Sequence, residues 1–107
     1  MPYDTDNNRL LLEIDKEIRE LNRDTINPRI PNLNIKDLKP VMSMVARSRA
    51  DYLQELFDLA SVCGDGLPSP DQIRHLRNLR LAYDELVDGA QALNTAIEWG
   101  YLDVGRD

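Results

Sequence analysis

The 107 residues leave room for a single domain. Thirteen Lys and Arg against 19 Asp and Glu give a net charge of −6, and 42% hydrophobic residues stand beside 30% charged ones. There is enough Leu, Ile and Val to offset the entropy of folding, which excludes a disordered tail. Five Gly and six Pro are little material for the turns of a small all-β domain. The acidic balance argues against nucleic-acid binding, which relies on clustered Lys and Arg to displace counterions. The opening Met1-Pro2-Tyr3-Asp4-Thr5-Asp6 has no basic stretch leading into an apolar run, and no run approaches the ~18 apolar residues of a membrane span. The lone Cys63 cannot form an internal disulfide. These features predict a cytoplasmic protein without membrane contact.

The first periodic segment covers residues 6–24, where Leu11, Ile14, Ile18 and Leu21 recur at spacings of three, four and three, with Leu10 widening the stripe. Pro28 and Pro31 end it. Residues 25–36 then read as a linker lying along the helices, with Ile26, Ile30, Leu33 and Ile35 nearly alternating. Asp37 suits the N-cap of a second helix over 38–63, which would place Pro40 in its first turn. This helix carries two apolar stripes, one through Val45, Tyr52, Leu56, Leu59 and Cys63 and another through Met42, Leu53, Phe57 and Ala60. Two stripes imply two neighbours. Gly64 supplies a C-terminal glycine, and residues 64–69 form the turn.

Ser69-Pro70-Asp71-Gln72 has the form of a capping box with proline at the first helical position. The helix it opens, 70–99, keeps its seam through Ile73, Leu76, Leu79, Tyr83, Leu86, Ala90, Leu93 and Ile97. A tail, 100–107, completes the chain. Segment charges run −3 over 1–24, +4 over 25–50, −4 over 51–68, +2 over 69–82 and −5 over 83–107. If the second and third helices fold back about residue 66, opposite signs meet. Asp51 would face Arg80, Glu55 would face Arg77, Asp58 would face Arg74, and Arg49 would face Asp84. The predicted fold is an all-α three-helix bundle, built on a long antiparallel helical hairpin with a shorter N-terminal helix, in left-handed near-parallel packing.

Near the end of the third helix, Gly89, Ala92, Ala96 and Gly100 form a stripe of small residues, flanked by Trp99 and Tyr101. Small side chains let another helix approach closely, and aromatic residues commonly anchor interfaces. Gly89, Ala92, Ala96, Trp99 and Tyr101 are therefore the candidate interface, covered either by the chain's own first helix or linker or by a second chain. Met42 and Met44 read as core filler. Lys36, Lys39, Arg47 and Arg49 read as partners for the acidic half of the third helix. Arg74, Arg77 and Arg80 would bind an anion only if the acids of the second helix left them free.

His75 is the only histidine, and no nucleophile stands in a recognisable context with it. Cys63, in the last turn of a helix, reads as a structural thiol. No glycine-rich phosphate loop or dinucleotide fingerprint is present. Glu13, Glu17 and Glu20, with Glu85 and Asp88, give E-x-x-E and E-x-x-D spacings that can share a hard cation. Over those few residues the chain resembles the all-α, magnesium-dependent nucleotide pyrophosphohydrolases of the MazG type, which implies metal held between helices. The separation is longer than that family's pattern, and Glu85 and Asp88 fall on the outward side of their helix. These residues together point to a non-enzymatic protein–protein interaction module without metal or cofactor: an adaptor, chaperone-like protein or regulatory subunit that binds a protein partner or a second copy of itself. A metal-dependent phosphohydrolase is the alternative.

Overall fold

The computed structural model describes residues 2–30 and 33–105, with side chains from residue 5 onward. Three helices carry the described residues: α1, Pro2–Ile26; α2, Ile35–Cys63; and α3, Pro70–Glu98; a 3-10 turn at Asn27–Arg29 comes directly after α1. Among the described residues there is no strand, only an isolated parallel bridge between Leu33 and Val104. The all-α class and the hairpin of α2 on α3 are as the sequence predicts.

Two boundaries differ from the sequence reading. Helix α1, at 25 residues, is shorter than the 29 of each of the others, as expected, but it extends beyond the 6–24 read from the sequence at both ends. Proline at its first position costs nothing there, because the first-turn N–H groups have no helical partner anyway. It runs on to Ile26, and Pro28 confines the next residues to one 3-10 turn. Pro31, the other expected stop, lies outside the described residues. Helix α2 starts at Ile35, so Asp37 is not its cap but an acidic residue inside the first turn, where it suits the helix dipole. Pro40 is consequently inside the helix. The carbonyl it leaves without a donor belongs to Lys36 in the opening turn, where the break is least costly.

The other helix ends obey local chemistry. Ser69 Oγ accepts from the Gln72 amide at 3.2 Å while the Ser69 amide donates to Gln72 Oε1 at 2.8 Å, the reciprocal capping box. Gly64 closes α2 at φ +55°. At the end of α3, Gly100 takes φ +78°, the Tyr101 amide donates to the Ala96 carbonyl at 2.8 Å, and the Gly100 amide donates to the Ile97 carbonyl at 3.2 Å. This is a Schellman ending, and its left-handed position is one that glycine adopts without steric cost.

The chain divides into two compact units. One is the hairpin, residues 37–92. Its seam is drawn from Val41, Val45, Ser48, Tyr52, Glu55, Leu59 and Cys63 on α2 and from Gln72, Leu76, Leu79, Tyr83, Leu86 and Ala90 on α3, at spacings of three and four. Only Leu59 is fully buried, at 5% exposure; the rest are half-buried. The rings of Tyr52 and Tyr83 stack with centroids 6.4 Å apart, and Arg49 lies 5.3 Å over the Tyr83 ring while its Nε donates to the Tyr83 hydroxyl at 3.1 Å. The second stripe of α2 has no neighbour in this unit: Met42, Leu53, Phe57 and Ala60 are exposed, Phe57 at 75%.

The other unit comprises the described residues up to Lys36 together with those from Leu93 onward. Its centre is Leu102, 4% exposed. Arg23 holds the C-terminal segment by donating to the Gly100 carbonyl and to Asp103 Oδ2, both at 2.9 Å. The Asp103 amide donates to Asn27 Oδ1 at 3.2 Å, and the Gly105 amide donates to the Leu33 carbonyl at 2.6 Å. The expected tail is thus a docked segment, and the linker pairs with it. By contrast Leu10, Leu11, Ile14, Ile18 and Leu21 of α1, spaced for burial, are all exposed.

Candidate functional site

The hairpin register agrees with the charge pattern along the helix axis. Contacts between residues 49 and 83, and between 55 and 75, have numbers totalling 132 and 130, close to the 131 to 133 of the expected pairs. None of the four expected ion pairs forms among the described residues. Arg74 pairs with Asp71 on its own helix at 2.8 Å, Glu55 meets His75 Nε2 at 3.8 Å, and Arg49 engages Tyr83. For the Asp51–Arg80 and Glu55–Arg77 pairs the cause is rotational. At 100° per residue, Asp51 and Asp58 leave the α2 seam, and Glu55 lies on the flank of it, toward the edge that carries His75, whereas Arg77 and Arg80 leave the α3 seam toward the opposite edge. Heights match, but edges do not.

Arg77 and Arg80 therefore make no ion pair or side-chain hydrogen bond among the described residues. They line an open hollow of about 240 Å³ with Tyr52, Ile73 and Leu76. Ile73 is 48% exposed, and on α2 the same edge carries exposed Leu53 and Leu56. An apolar floor beside two unpaired guanidinium groups is a surface that can hold an amphipathic acidic ligand. The sequence marked the arginine row and its condition for being free. It did not mark Tyr52 or Ile73 as part of a groove, because both read as seam positions and only the rotation of the two helices puts them beside the arginines.

The small-residue stripe lies largely open. Gly89 is exposed in mid-helix, and a Cβ there would meet nothing within 4 Å. Ala92 is exposed and Ala96 half-buried. Trp99 carries Arg19 5.3 Å over its ring and lines a hollow with Lys16, Glu20 and Arg23, and Tyr101 is half-buried. Within the unit of the docked tail, Asp103 has its carboxyl held below the ordinary value, chiefly by the hydrogen bond from Arg23, whose own guanidinium is shifted up by the same bond.

The remaining candidates are dispersed. Glu13, Glu17 and Glu20 are exposed on α1, Glu85 and Asp88 are exposed on α3, and among the described residues no group of three or more His, Cys, Asp or Glu is placed to hold a metal ion. Cys63 is half-buried with its Sγ 3.9 Å from Gln72 Oε1. Met42 and Met44, expected as core filler, are exposed. No helix among the described residues is long and apolar enough to cross a membrane. Comparison with protein-family models, with curated proteins and with solved structures finds no match to this chain.

Proposed function

We propose that this protein is a non-enzymatic protein–protein interaction module, an adaptor, chaperone-like protein or regulatory subunit, that presents helical surfaces and associates with a second copy of itself. The supporting observation is periodic apolar surface that is exposed in each unit. Leu53, Leu56 and Phe57 in the hairpin, and Leu10, Leu11, Ile14, Ile18 and Leu21 on α1, recur at helical spacing and are all exposed. Scattered exposed leucines are ordinary, but a contiguous stripe at spacings of three and four is the form in which one helix meets another. Sedimentation velocity and light scattering from micromolar to near-millimolar protein test the reading. Self-association is expected to give twice the 12.3 kDa chain mass. A strict monomer at the highest concentration refutes the self-association.

A further inference from the structure

We infer that the edge of the hairpin bearing Arg77 and Arg80 is a docking groove for an acidic amphipathic helix of a protein partner, which seats an apolar side chain in the hollow beside Tyr52 and sets carboxylates on the two arginines. The inference deepens the interaction-module reading and rests on it. Three observations converge on the one edge. The hollow of about 240 Å³ between Tyr52, Ile73, Leu76, Arg77 and Arg80 exceeds the ~150 Å³ that accepts a benzene ring, so one leucine or aromatic side chain fits. The exposed Leu53, Leu56 and Ile73 extend its apolar floor. Arg77 and Arg80, one turn apart, have no carboxylate of this chain on them among the described residues, although the adjoining helix carries Asp51, Glu55 and Asp58 at the same heights.

Arginine presents a planar fork of donors matched to carboxylate, so two of them at a spacing of three select acids at helical spacing on the incoming chain. Charge also excludes the other obvious anion. Asp84 and Asp88 continue the face of Arg80 by one and two turns, so a nucleic-acid backbone leaving the arginines would run onto carboxylates. A helix seated in the hollow can carry its carboxylates at the two arginines alone, which a uniformly charged backbone cannot.

The experiment uses the full chain and fluorescence anisotropy of two labelled synthetic helices with the same leucines at i, i+3, i+4 and i+7, one flanked by glutamates and one by lysines. The glutamate helix is expected to bind at least tenfold more tightly than the lysine helix and to weaken as salt is raised. The double substitution R77E/R80E, on exposed residues, is expected to reverse that order, which a merely unfolded variant would not do. Equal binding of the two helices, an unchanged order in R77E/R80E, or displacement of the glutamate helix by millimolar inorganic phosphate would overturn the groove. Light scattering on the same samples reads the underlying proposal separately. A chain that dimerises yet shows no charge preference defeats only the groove, and a monomer that binds the glutamate helix defeats only the dimer.

Discussion

Leu59 and Phe57 stand two residues apart on α2 and test the division between what holds the hairpin and what it offers. Leu59 is 5% exposed and Phe57 75%. Truncating a buried leucine to alanine costs 2–5 kcal/mol, and the half-buried neighbours of Leu59 can close on the gap, which puts L59A near the low end, about 2–3 kcal/mol. Phe57 has withdrawn only a quarter of its surface from water, so F57A should cost the isolated chain under about 1 kcal/mol on a scale of ~3 kcal/mol for full burial. If a second copy covers the other three quarters in a symmetric pair, both chains lose the ring, and F57A forfeits about 4 kcal/mol of association, which is roughly 1,000-fold in Kd. Urea melts at low and high protein concentration separate the two effects, since only an associating chain has a concentration-dependent midpoint. The expected result is that L59A lowers the midpoint at every concentration, while F57A abolishes the concentration dependence and leaves the dilute midpoint nearly in place. A dilute F57A midpoint as low as that of L59A, or an undiminished concentration dependence, refutes this division of roles.

Gly89→Ala should raise stability by about 0.5–1 kcal/mol, because the added Cβ meets open space and glycine is costly in mid-helix; a loss in the melting midpoint would mean that something packs on Gly89. Asp103, held below its ordinary carboxyl value by Arg23, contributes to tail docking fully above the unfolded value of about 3.9 and loses that contribution as pH falls through its lowered folded value. Acid titration monitored by the fluorescence of Trp99 should show this release in the natural chain, while Asp103→Asn should already be loosened at neutral pH. Millimolar Mg²⁺ or Mn²⁺ should leave the melting temperature unchanged, whereas a rise of several degrees would revive the carboxylate pairs of α1 and α3 as a metal site.

Features decided within a few residues were legible in the sequence. The capping box at Ser69 and Gln72 and the stop at Gly64 need only neighbours up to four positions away, and both are found. The axial register of the hairpin was also legible, because charge blocks average over whole turns. Rotation about the axis was not. A small difference in which seam residue points inward moves Arg77 and Arg80 to the edge away from the acids, and no local signal fixes it. The start of α2 was misplaced because Asp37 and Pro40 fit a cap at 37 as well as a first turn begun at Ile35. The docking of the tail escaped because Arg23 and Asp103 lie 80 positions apart, and nothing in either neighbourhood points to the other.

Glu55 occupies a seam position, half-buried, with His75 across from it. Sliding α3 by one heptad would bring Pro68 or Ala82 to that spot, neither of which has a polar side chain, and would set the half-buried carboxylate against an apolar surface. Leucines tolerate such slippage because one greasy neighbour serves nearly as well as another. The acid tolerates it less, and so it acts as the notch of a key: it subtracts from adhesion while disfavouring a misaligned closure. A hairpin reopened and reclosed around other polypeptides would keep its own alignment for this reason, and Glu55→Leu should yield a tighter pair of rods with more than one way of lying together.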